Sequence, residues 1–145
     1  MDRVEKLALT LSIILVFIFF VGVLVASTGF GIKVPTCITN VPPYNEAKVI
    51  KHDDKHYEIH YIAKMWMFEP NEVKIPAGSV VDIYLVSSDV QHGFHIAEKN
   101  VNLMAVPGTI NYARVKFDKP GEYHIVCHEY CGVGHEAMRA KIIVE

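Results

Sequence analysis

Cys127, Cys131, His135 and Met138 lie within the twelve residues CHEYCGVGHEAM near the C-terminus. Two thiols, an imidazole and a thioether form a donor set for a transition metal, and the soft sulfurs favour copper, Cu(I) above all. A mononuclear blue-copper site takes one cysteine, two histidines and a weak axial methionine. This loop has one cysteine too many. Two thiolates in one loop can each bridge two ions, so the spacing points to a binuclear copper centre that still needs a second histidine from elsewhere.

The stretch SSDVQHGFHIAEKN offers it. His92 and His95 stand three apart there, and Gly93 between them lets the backbone be approached closely. Other histidines read differently. His52, His56 and His60 recur every fourth residue, which would line one face of a helix, but the surrounding alternation is that of a strand, so they read as solvated side chains. His124, in EYHIVC, reads as a half-buried strand histidine.

Such ligands need a rigid frame, and the sequence offers strands. HYEIHYIAKMWMF, Glu72 to Ile75, SVVDIYLVSS, INYARVKF, EYHIVC and RAKIIVE are short runs rich in Val, Ile, Tyr and Phe. Turn signals such as Pro76-Ala77-Gly78 and Lys119-Pro120-Gly121 separate them. No comparable helical pattern follows the N-terminal region. A mainly β fold is expected, an antiparallel sandwich or barrel of Greek-key type.

The N-terminal region is different. Leu7 to Ala26 is twenty residues without a charge, enough to span about 30 Å as a helix. The run exceeds the apolar core of a signal peptide, about 7–15 residues, so it reads as one transmembrane helix. Arg3 and Lys6 precede it and the next basic residue is Lys33, which places the N-terminus in the cytoplasm and the rest outside. Gly29, Gly31, Pro35, Pro42 and Pro43 mark a linker. The expected organisation is 1–27 for the N-terminal segment and helix, 28–50 for the linker, and 51–145 for the outer domain. With 14 basic and 16 acidic residues the net charge is −2, which gives no footprint for nucleic acid. An outside location favours disulfides, but three cysteines are odd and copper needs the loop pair reduced. Cys37 reads as an incidental thiol near the membrane.

DVQHGFH followed by CHEYCGVGHEAM resembles the copper A domain of subunit II of heme-copper cytochrome c oxidases. The single span is similar to the B-family form of that subunit; most members of the larger family have two. EPNEVKIPAGSVV and KPGEY carry the resemblance across essentially the whole chain. It implies a cupredoxin-like sandwich in which His92 and His135 are imidazole ligands, Cys127 and Cys131 bridging thiolates, Met138 an axial thioether and Glu129 a ligand through its backbone carbonyl. His95 then stays beside the ligands.

The same resemblance implies two copper ions, electron transfer from cytochrome c to heme in subunit I, and support of oxygen reduction to water coupled to proton translocation. Oxygen chemistry itself belongs to subunit I. A magnesium ion at the Glu129 side chain, shared with subunit I, is a further expectation. Trp66 falls where the family places an aromatic residue at the donor surface, and Glu5 where B-family subunits carry a carboxylate at a cytoplasmic proton channel. The setting is the cell membrane, single-pass, with lipid, subunit I and small additional membrane subunits as neighbours and the copper domain on the outer or periplasmic side. Rival readings are the copper A module of another reductase, such as nitrous oxide reductase, and a copper-transfer or thiol-reductase assembly factor. The first expects a large fused catalytic domain. The second expects a βαβ pattern and no downstream HxxM.

Overall fold

A helix start leaves backbone N–H groups without intrahelical partners, and Asp2 and Glu5 supply them. The Asp2 carboxylate accepts the Glu5 N–H at 2.8 Å and the Glu5 carboxylate accepts the Asp2 N–H at 2.7 Å, a capping box. Helix α1 (Arg3–Gly29) therefore begins ahead of the apolar run, and its 27 residues measure about 40 Å. None of its residues is buried. By length and composition it can cross a membrane.

The computed structural model describes residues 2–30, 36–38 and 44–145, which divide into two units, Met1–Val34 and Pro35–Glu145. The second unit holds two sheets. One runs β1 (Thr36–Cys37), β9 (Asn111–Phe117), β6 (Ser79–Ser87), β3 (His56–Lys64), β2 (Lys48–Asp53), with β4 (Met67–Glu69) also paired to β3. The other runs β5 (Glu72–Ile75), β11 (Arg139–Val144), β10 (Gly121–Val126), β7 (His92–Ile96), β8 (Val101–Ala105).

Two expectations change. Pairing is not antiparallel throughout: β3 with β6 and β5 with β11 run parallel. The chain leaves β3 through β4, visits the other sheet as β5 and returns as β6, the crossover that parallel neighbours require. The linker expected over 28–50 also overlaps its neighbours. Helix α1 continues to Gly29, Thr36 and Cys37 pair with Tyr112 and Asn111, and β2 opens at Lys48. The two-residue β1 is too short to register as a period, and β2 is exposed along its whole length and so shows no inward–outward alternation. The Cys37 side chain lies outside the described residues.

Period-two alternation builds the core. Ile59, Tyr61 and Ala63 of β3 and Val81, Ile83 and Leu85 of β6 point inward against Phe94, Ile96, Leu103, Ile125 and Ile142 of the other sheet, all buried. The Phe94 ring meets Tyr61 and Phe68 edge-on at 5.1 and 5.3 Å, a favoured aromatic geometry. This cluster begins two residues beyond His92.

The outward face of the first sheet corrects the reading of its histidines. His52 and His60 each contact one oxygen of Glu58, at 2.8 and 2.5 Å, and His56 contacts Asp82 at 2.7 Å. They are paired with carboxylates, not simply solvated. Asp82 also accepts two bonds from Arg114, at 2.6 and 2.7 Å, and one from Tyr112 at 2.5 Å. His124, in contrast, is exposed.

Candidate metal centre

Three strand ends meet at one end of the second sheet. β7 begins at His92, β10 stops one residue before Cys127, and β11 starts one residue after Met138. Val126 pairs with both His95 and Arg139, and the Cys127 N–H donates to the Met138 carbonyl at 3.1 Å. Register alone thus brings His92, Cys127 and Met138 together. The intervening loop closes on a 3₁₀ turn, His135–Ala137, which returns His135 to the sulfurs.

The two thiols are free and buried, with Sγ atoms 3.7 Å apart. A ring nitrogen of His92 and both sulfurs lie within 4.8 Å of one another. Cys131 Sγ is 3.6 Å from His135 Nδ1 and 3.8 Å from Met138 Sδ. Cys127 Sγ is 3.3 Å from the Glu129 carbonyl oxygen. The structure therefore gathers His92, Cys127, Glu129, Cys131, His135 and Met138 around one sulfur pair. His95 stands apart from this set, with its ring 5.7 Å from that of His128.

The state of His92 decides what this cluster can do. Its side chain is 0% exposed, and Nε2 lies 2.7 Å from Asp89 Oδ1. Burial pushes the Asp89 carboxyl up, but bonds from His92 and from the Met65 and Val90 amides outweigh it and hold the group below its ordinary range. An ionised Asp89 fixes the proton on Nε2 and leaves Nδ1 as the bare lone pair. Nδ1 is buried and has no hydrogen-bond partner among the described residues. An acceptor left in that condition costs about 1–3 kcal/mol, a cost that a metal ion would remove. Burial and the neighbouring Cys127 push the Cys131 thiol up to about 11, so its proton stays until a metal displaces it. Buried thiols, a thioether and a tautomer-locked imidazole fit copper.

Trp66, Glu129 and Glu5 have different settings. Trp66 is 43% exposed, so it is not a core residue, and its indole N–H donates to the Cys131 carbonyl at 3.0 Å. A Cβ on Gly134 would come within 2.6 Å of the indole, so glycine there is what lets the ring seat on the loop. At Gly93 a Cβ would meet the His128 ring at 1.9 Å, which identifies the close approach that Gly93 allows. The Glu129 side chain is half-buried beside His128. Glu5 is engaged in the helix cap.

The residue missed in the sequence is Asp89. Asp89 carried one signal, its place in a turn three residues before His92, where Asp commonly bonds local backbone.

Known proteins share both sequence and fold with this chain. Residues 47–145 match the family described as cytochrome c oxidase subunit II, periplasmic domain. Cytochrome c oxidase subunit 2 of Thermus thermophilus is 31% identical over 149 residues, covering 96% of this chain and 89% of that protein. A chain from the cryo-EM structure of a heme-copper terminal oxidase dimer is 56% identical with a TM-score of 0.88, covering 99% of this chain and 100% of that one. The periplasmic domain of subunit II from Bradyrhizobium japonicum shares the fold, at 23% identity and TM-score 0.57, over 70% of this chain and 86% of that chain. The expected mainly β, cupredoxin-like sandwich with one apolar helix therefore holds, and the chain belongs to the cytochrome c oxidase subunit II family, as a subunit of a heme-copper oxidoreductase complex.

Proposed function

We propose that this chain holds a binuclear copper A centre, accepts electrons from a cytochrome c and passes them to heme in subunit I, supporting oxygen reduction coupled to proton translocation. One observation carries the reading: His92 keeps a buried, unpartnered Nδ1 on a ring of which one nitrogen lies within 4.8 Å of two free thiols 3.7 Å apart. Copper held there would supply one-electron chemistry. The protein does the rest. Cys127, Cys131, His92, His135, Met138 and the Glu129 carbonyl would hold the ions. Burial excludes water, and strand ends fix the donors in advance, so little needs to rearrange when an electron arrives.

Trp66 is the proposed point of uptake, because its exposed indole bonds directly to the Cys131 carbonyl. Val133, on the same loop, is 90% exposed and Met65 47% exposed, an apolar surround suited to a partner protein. A thiol-reductase role is disfavoured, since such chemistry needs an accessible thiolate of depressed pKa and Cys131 has the reverse. Helix α1 would anchor the chain in the cell membrane with its N-terminus cytoplasmic and the copper domain outside. Glu129 is proposed to reach a magnesium ion shared with subunit I, and Glu5 to accept protons at the cytoplasmic side. A Glu5→Gln complex with normal proton uptake would remove that last role.

Rapid mixing of the purified complex with reduced cytochrome c provides the test. The copper absorption should bleach before the heme is reduced, and Trp66→Ala should slow bleaching without altering the copper spectrum. An unchanged rate removes Trp66 from the route, and a centre that cytochrome c cannot reduce removes the donor.

A further inference from the structure

Asp89 occupies no ligand position, yet it touches both sides of the site. Its Oδ1 accepts from His92 Nε2 at 2.7 Å and from the Val90 N–H at 2.6 Å. Its Oδ2 accepts the backbone N–H of Met65, 24 residues away in sequence, at 2.6 Å. Met65 immediately precedes Trp66, whose indole reaches the Cys131 carbonyl. One carboxylate therefore holds the buried imidazole with one oxygen and the β3–β4 turn with the other. An ordinary turn-capping aspartate would account for the Val90 bond and for the Ser87 hydroxyl 3.5 Å away, but not for Met65.

We propose that Asp89 is a positioning residue that couples the orientation of the metal-facing His92 imidazole to the seating of Trp66 on the cysteine loop. The inference rests on the copper reading for its His92 arm alone. Through Oδ1, Asp89 selects the tautomer that presents Nδ1 to the sulfurs, as carboxylate partners of ligating histidines do. Through Oδ2 it pins the start of the turn, so the indole meets Gly134 and the Cys131 carbonyl in one geometry. Losing the carboxylate would disturb the ligand and the proposed electron route together, although Trp66 and His92 share no direct bond.

The test uses the full-length chain in detergent, where Trp66 is the sole tryptophan and its fluorescence reports on that residue alone. In Asp89→Ala, the copper-free chain should show red-shifted emission and greater access to a soluble quencher, and copper affinity should fall about 10–100-fold. Asp89→Asn separates the arms. Its single carbonyl oxygen stays on the side of the His92 and Val90 donors, and its amide meets the Met65 N–H donor to donor, so emission should shift while copper affinity stays close to that of the wild type. Unchanged emission in Asp89→Ala overturns the coupling, and so does wild-type copper affinity in that variant. Should the alanine variant fail to fold, the asparagine variant decides through its emission, and unchanged emission there overturns the coupling. A wild-type chain that binds no copper would instead defeat the copper reading, leaving the emission arm to be judged separately.

Discussion

The metal end of the sandwich and the outer face of its first sheet both collect histidines beside carboxylates, yet only one of them has donor capacity to spare. On the outer face, Glu58 is shared by His52 and His60, and Asp82 gathers His56, Arg114 and Tyr112. Those pairs satisfy one another across four strands and tie the sheet together. At the metal end, Asp89 takes one nitrogen of His92 and leaves the other buried and unmatched, on a ring beside two thiols. Number and spacing of histidines therefore do not separate a site from a scaffold. A buried, unmatched lone pair on a ring beside two thiols does.

The largest effect that would break this comparison is at the sulfurs. Cys131→Ser should abolish the binuclear spectrum and electron uptake from cytochrome c while the chain still folds and assembles, as read by circular dichroism and subunit content of the purified complex. Next is Asp82→Ala, which strands Arg114, Tyr112 and His56 at once. It should lower unfolding free energy by about 1–3 kcal/mol in urea melts and leave the copper spectrum unchanged. A changed spectrum would mean that the two regions are not independent.

Acid offers a smaller, graded version of the same contrast. Burial opposes ionisation of Asp82, but its bonds from Arg114, Tyr112 and His56 prevail and hold its carboxyl well below the usual carboxylate range. In the unfolded chain an aspartate titrates near about 3.9. Below that pH the unfolded state binds the extra proton, so the Asp82 contribution is complete above it and is lost as pH falls toward the folded value. Urea melts between about pH 5 and pH 2.5 should show this decline, and Asp82→Asn should flatten it. The smallest expected effect is that of His52→Ala, a half-exposed pair worth about 0–1 kcal/mol. Copper bound per chain should not change; a fall would show that the outer face holds metal after all.

Much of this was legible in the sequence because it is local. The four-, four- and three-residue steps from Cys127 to Met138 place their donors on one loop, and alternation in β3 and β6 names the core residues directly. Choosing His92 over His95 needed the family resemblance; in three dimensions the choice follows from register, since His95 pairs with Val126 and His92 projects beyond β10 to the loop. What stayed hidden depends on contacts between remote residues. The Met65–Asp89 and Trp66–Cys131 bonds join positions 24 and 65 residues apart, and no local pattern encodes them. The parallel β3–β6 pairing was hidden for a related reason, because alternation reports which face a residue takes and not the direction of its neighbour.

The most direct measurement is copper per chain together with the paramagnetic resonance of the oxidised complex. The account predicts two coppers per chain and one unpaired electron whose hyperfine pattern is shared between two equivalent nuclei, with a purple absorption. A single copper with a blue absorption and the hyperfine pattern of one nucleus would contradict it.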